Sequence, residues 1–270
     1  MTWQEIVQRY HIKYYDQISR VTKPLDCLDI VCVDYLRTYA NGKFAYLTNR
    51  PEFTEYYASE QLYRIDPFFR HPDFYKDGFL WLENCNSSDF KNVVFLTNRQ
   101  FHLHSPLLLI EKAKNYVEMF CFSGKSDEAI QALHLNHAHL LKTFREYYRR
   151  ELHPLLNKME EEGGSLIDLQ GEFFFEGYPA SEIKTETIHA FLIALGKKAE
   201  VEKASLLSPR ERDCLRLLMR GNSAKDSAIE LNLSPRTIEF YLENVKNKLD
   251  CSSRRELLLI ASDFQNLGLL

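Results

Sequence analysis

The stretch with the most usable chemistry is LSPRTIEFYLENVKNKL, residues 233–249. On a helical wheel Ile238, Tyr241, Leu242, Val245 and Leu249 share one face. Arg236, Phe240, Glu243 and Asn247 share the opposite one, flanked by Glu239, Asn244, Lys246 and Lys248. Groups of this kind suit the edges of base pairs, because a carboxylate accepts from cytosine N4 and a phenyl ring lies against a thymine methyl. Ser234 and Thr237 at the helix start, with Arg236, Lys246, Lys248, Arg254 and Arg255, would supply donors and positive charge to phosphates. Charge sets a limit on that attraction. Residues 205–270 hold ten Lys/Arg against nine Asp/Glu. The expectation is a shallow salt dependence and weak binding by one copy, which two copies on a two-fold site would offset. The competing reading is a helical bundle that binds protein, its acids forming a solvated face.

Other groupings offer less. His102 and His104 alternate on a predicted strand, and His134, His137 and His139 crowd a predicted helix, without Cys or carboxylate partners at ligand spacing. No metal site is expected. The chain has no GxSxG, Walker or dinucleotide fingerprint, so neither a catalytic residue nor a cofactor is expected, and an enzyme is the weaker alternative. Six cysteines without a CxxC pair read as small hydrophobes in a reducing compartment. The N-terminus is charged (Glu5, Arg9, Lys13), apolar runs are short and net charge is −4, which together predict a cytoplasmic protein that does not meet the membrane.

The elements that must position the 233–249 helix are announced by caps. Ser208-Pro209-Arg210-Glu211 is a capping box with Pro at the first helical position. Ser223, Ser234 and Ser253 open three further helices, and Gly221 closes the first. Ala228 is small where two helices cross, Asn232 tolerates a left-handed turn, and Leu231, Leu233, Ile238 and Tyr241 fill the core. The result is an all-α, four-helix helix-turn-helix domain over 205–270.

Upstream, 1–20 predicts one amphipathic helix, and 28–49 two strands joined at Asn41-Gly42. Pro51 opens a helix to about Tyr63, runs 102–112 and 115–124 make a second strand pair, and 127–159 is a long helix stopped by Gly163-Gly164. This order predicts an α+β domain over 1–164, an antiparallel sheet flanked by helices. Residues 165–204 are expected to be a linker or extension, a loop or hairpin followed by a helix. The long helix carries more leucines and aromatics than one sheet face needs, which suggests a homodimer.

Residues 207–261 resemble the LuxR-type DNA-binding domain over its whole length. The family's Glu, Leu and Gly match Glu211, Leu215 and Gly221; its recognition-helix start matches Ser234, Thr237 and Ile238; Asn244, Lys248 and Leu249 match as well. Ser227, Tyr241 and Asp250 depart from the usual aliphatic, His and Gly. The resemblance implies a transcription regulator that binds double-stranded DNA, with residues 239, 240 and 243 nearest the base edges.

Residues 45–85 are similar to the acyl-homoserine-lactone-binding domain of LuxR-type regulators, the quorum-sensing receptors. Its aromatics and Asp-Pro match Phe53, Tyr57, Asp66-Pro67 and Trp81. The resemblance implies a small-molecule pocket lined by these residues with Asn49, Phe44 and Tyr46. Two donors of the family are missing, however. Asn49 replaces a Tyr and Phe53 a Trp, which argues against tight acyl-homoserine-lactone binding. Alternatively, the same aromatics are core packing.

Overall fold

The structure, a computed structural model, describes residues 2–85, 90, 98–177 and 183–270. The chain divides into two units, residues 1–181 and 182–270.

The first unit is built on one antiparallel sheet of five strands: β1 (Ile30–Tyr39), β2 (Phe44–Thr48), β3 (Gly78–Trp81), β4 (His104–Lys112) and β5 (Tyr116–Gly124), in the order β2-β1-β5-β4-β3. The Asn41-Gly42 turn joins β1 to β2 as its dipeptide predicts, with Gly42 at φ 82. Sequence patterning overlooks β3, which is only four residues long and gains its order by pairing with β4.

The helices are α1 (Trp3–Ile6), α2 (Tyr15–Thr22), α3 (Pro51–Ser59), α4 (Asp127–Glu162) and α5 (Leu166–Gln170). The single helix expected over 1–20 is split, because a π-helical stretch, Val7–Ile12, separates α1 from α2. Alternation along β5 assigns its side chains to two faces. Phe120 and Phe122 meet Tyr148 and Phe144 of α4, while Met119, Cys121 and Ser123 point to the other side. Most of the apolar stripe of α4 (Leu133, Leu141, Phe144, Tyr148, Leu152, Leu155, Met159) is therefore buried within its own chain. Leu140 and Tyr147 of the expected stripe are half-buried, and Leu135 is exposed.

A buried acid fixes α4 in place. Glu118 of β5 accepts from Tyr35 and Arg37 through Oε1, each at 2.5 Å, and from Arg149 Nε at 2.5 Å through Oε2. Burial pushes its carboxyl up, but Arg37 and Arg149 outweigh this and hold it below the ordinary carboxylate range.

On the opposite face Trp3 is fully buried, stacked on Phe44 at 5.7 Å and on Tyr63 at 5.2 Å, with Tyr46, Tyr57 and Phe69 around it. The stretch after Gly164 is neither loop nor hairpin over 165–177. It forms α5 and a 3-10 turn and packs back on the first unit, burying Leu166 and Phe174. Residues 178–182, the rest of that expected loop, lie outside the described residues.

The second unit is all helical: α6 (Thr185–Ala194), α7 (Lys198–Ser205), α8 (Pro209–Met219), α9 (Ala224–Leu231), α10 (Pro235–Leu249) and α11 (Arg254–Asn266). Gly196, at φ 81, breaks what the sequence suggests is one helix over 185–203 into α6 and α7. Both pack against α8–α11 through Leu192, Val201 and Ala204. Among the described residues no helix is long and apolar enough to cross a membrane.

Candidate functional site

Two places deserve the name, one in each unit. The first is a cavity of about 90 Å³ under the sheet of the first unit. Four of the sequence-predicted residues line it: Tyr46 from β2, Phe53 and Tyr57 from α3, and Asp66 from the loop beyond α3. Asp66 is held by two donors, the Tyr57 hydroxyl to Oδ2 at 2.5 Å and the Phe68 N–H to Oδ1 at 2.8 Å. Burial nonetheless pushes its pKa up to about 6.

Three of the expected pocket residues are elsewhere. Trp81 pairs with Leu107 in the β3–β4 register, which turns it to the α4 side, where its ring meets His134 at 5.3 Å. Phe44 is on the correct face but is covered by Trp3. Asn49 serves the backbone: its Oδ1 accepts from Val33 N at 2.9 Å, and its Nδ2 donates to Val31 O at 3.4 Å.

Sequence reasoning missed Asp34, Asn98, Cys121 and Ser123, all of which line the cavity. Asp34 lies opposite Cys121 in the β1–β5 register and is half-buried. Its Oδ1 accepts from the Tyr46 hydroxyl at 3.0 Å, and burial raises its pKa against the bonds from Thr48 and Tyr46. The signal was present: a lone acid inside the apolar run IVCVDYL, in step with Leu36 of the cavity wall.

The second place is the outer face of α10. Ser234 is the N-cap; its hydroxyl accepts from Thr237 N at 3.0 Å and lies 2.7 Å from Thr237 Oγ1. α9 and α10 are joined through Asn232 in the left-handed conformation, with Leu233 N donating to Ala228 O at 2.9 Å. Cys214, Ala228 and Ile238 form the core beneath, with Leu231, Leu233 and Tyr241 against it. At the far end Asp250 takes φ 55, the conformation for which a glycine would be usual.

Arg236, Glu239, Phe240, Glu243, Arg254 and Arg255 are exposed, Phe240 at 62%. Both lysines are engaged. Lys246 bonds Glu243 at 2.6 Å, and Lys248 bonds Glu211 at 2.7 Å. Among the described residues no group of three or more His, Cys, Asp or Glu is placed to hold a metal.

A family model described as bacterial regulatory proteins, luxR family, matches residues 205–261. This segment is a LuxR-family helix-turn-helix domain. Among curated proteins, the quorum sensing-dependent transcriptional regulator VjbR of Brucella ovis is 43% identical over 58 residues, 22% of each chain. The transcriptional regulatory protein FixJ of Bradyrhizobium diazoefficiens is 44% identical over 59 residues, 22% of this chain and 29% of FixJ. The likeness to these relatives thus spans between a fifth and a third of their length, equivalent to the LuxR-family domain alone. Among solved structures, Escherichia coli SdiA aligns over 100% of this chain and 92% of its own, at 17% identity and a TM-score of 0.37. The four helices that carry the LuxR-family match are α8 to α11.

Proposed function

We propose that the chain is a sequence-specific DNA-binding regulator of transcription that acts as a homodimer and responds to a small molecule held in the first unit. The observation that carries the reading is α10, a helix capped by Ser234 whose outer face offers Arg236, Glu239, Phe240 and Glu243 to solvent. A helix of this kind enters the major groove with its N-terminal residues on base edges. Phosphate contacts fall to Ser234, Thr237, Arg236, Arg254 and Arg255. The relatives VjbR and FixJ are named as transcriptional regulators, and the likeness to them covers this domain.

Because the helix carries two acids, affinity for a single half-site is low, and a two-fold site bound by two copies supplies the remainder. The homodimer rests on this argument and not on the stripe of α4. The cavity with Tyr46, Phe53, Tyr57 and Asp66 is the ligand site of the reading, its walls apolar with a few polar groups.

Binding selection from a random duplex library tests the reading, with Glu239→Ala/Glu243→Ala beside the wild type. Enrichment of one palindrome, altered at a fixed position of each half-site in the variant, is the expected result. Absence of enrichment at low salt, with and without cell extract as a source of ligand, would return the helix to the protein-binding alternative.

A further inference from the structure

The polar groups of the cavity are two carboxylates, the phenols of Tyr46 and Tyr57, and the neutral side chains of Asn98, Cys121 and Ser123. Asp34 and Asp66 both face it, and the two phenols that could serve a ligand's carbonyl are already committed, Tyr46 to Asp34 and Tyr57 to Asp66. A carboxylate has about four acceptor sites, so each retains capacity after these bonds. Among the described lining residues there is no Lys, Arg or His.

The neighbouring cations are engaged outside the walls. Arg70 is buried near Asp66, donating to the Asp66 carbonyl at 2.9 Å and to Gln170 Oε1 at 3.1 Å. Arg50 pairs with Glu52. Arg50 also acts on Asp34 from a distance, and Thr48 and Tyr46 hydrogen-bond it, but no described cation lies between Asp34 and Asp66 in the cavity wall. Cys32 Sγ, a weak thiol donor, lies 3.7 Å from Asp34 Oδ2. Two carboxylates facing one cavity repel each other: burial and Asp34 both raise the pKa of Asp66, and a cation entering between them relieves that repulsion.

We infer that the cavity takes a compact monocation, a primary ammonium on a small apolar body, with its N–H groups received by Asp34 and Asp66. The inference rests on the reading of the first unit as a ligand-sensing domain and narrows the ligand's class. Size points the same way. The cavity of about 90 Å³ is smaller than the engineered apolar cavity of about 150 Å³ that admits benzene, which favours a short apolar body over a long acyl chain. Leu36, Phe53, Phe68, Phe69 and Met119 supply walls for an apolar body.

The test is calorimetric titration of the full chain at neutral pH. The probes are butylammonium and propylammonium, the uncharged isosteres 1-butanol and 1-propanol, and N-butanoyl-homoserine lactone. At least one amine should bind about tenfold or more tighter than its alcohol, the scale of a charge-assisted hydrogen bond in a dry site. Asp34→Asn should abolish the preference, and Glu60→Gln, exposed at the end of α3, should keep it. Equal or tighter binding of the alcohol or the lactone, binding of neither amine, or a preference that survives Asp34→Asn overturns the inference. Should Asp34→Asn not fold, the amine-to-alcohol ratio of the wild type decides alone. Duplex affinity of the same samples separates the two readings. Amine binding that leaves DNA binding unchanged keeps the ligand class and removes ligand control. DNA binding without amine binding removes only the ligand class.

Discussion

Lys248 donates to Glu211 Oε2 at 2.7 Å and to the Leu206 carbonyl at 3.0 Å, so the last turn of α10 is tied to the first turn of α8. Glu211 completes the capping box at the same time, accepting from Ser208 N at 2.7 Å. One carboxylate thus caps α8 and ties down the last turn of α10. Burial pushes Glu211 up, but Lys248 and the Ser208 N–H outweigh it and hold it below its ordinary range.

Lys248→Met should therefore act on folding. Glu211 is buried but Lys248 is exposed, so losing the pair costs about 1 kcal/mol, read as a lower urea midpoint for the second unit. The pair's contribution is present above about pH 4.5 and is lost as pH falls through the lowered pKa of Glu211. A variant of unchanged stability but weaker DNA binding would return Lys248 to the phosphates.

Salt dependence is set by the cations left over. Arg236, Arg254 and Arg255 are exposed and in no ion pair among the described residues, whereas Lys246 and Lys248 are paired. About three phosphates per copy gives a slope of log K against log salt near −3, and about −5 for two copies on one site. Fluorescence anisotropy across about 50 to 200 mM salt measures it. A slope near −10 would show that the paired lysines also release their acids to reach the backbone.

Two buried groups impose opposite pH dependences on the first unit. His11 donates through Nε2 to the Tyr46 carbonyl at 2.7 Å, and burial lowers its pKa to about 4 from 6.5. The unfolded chain takes up a proton that the folded one refuses, so stability falls as pH drops from about 6.5 to 4. Asp66, raised to about 6 from 3.8, holds its proton longer folded than unfolded, so stability is lost as pH rises through that range. Against His11→Gln, the wild type should lose about 3 kcal/mol on acidification; against Asp66→Asn, it should lose about 3 kcal/mol from pH 4 to 7. Urea midpoints at several pH values decide, and parallel curves for wild type and either variant would show that residue not to titrate differently on folding.

The second unit was open to reading because a cap is a local event. Ser208, Ser223, Ser234 and Ser253 each accept from an N–H three residues on, and nothing distant is needed to see it. The cavity is different in kind. Asp34 reaches it only because β1 pairs with β5, and Trp81 is turned away only by the β3–β4 register, neither of which a single strand announces. Matching aromatics to a family by spacing located Phe53, Tyr57 and Asp66, which share one continuous stretch of chain. Phe44, expected to line the cavity but not placed there by spacing, is covered by Trp3, which arrives from the far end of the sequence. The engagement of Lys246 and Lys248 was equally out of reach, since a helical wheel shows a face but not which charges have found partners on it.

The segment after α4 closes over the cavity loop by side-chain amide chemistry. Gln170 of α5 donates to the Tyr63 carbonyl at 2.5 Å and the Asp66 carbonyl at 3.3 Å, and accepts from Arg70. Further along, the Phe174 carbonyl accepts from His71 N at 2.8 Å. Lifting residues 166–174 would strand buried carbonyls and a buried guanidinium at once, so the loop holding Asp66 and the stretch leading out of the first unit share a single free energy of opening. A molecule held at Asp66 would therefore resist the lifting of residues 166–174.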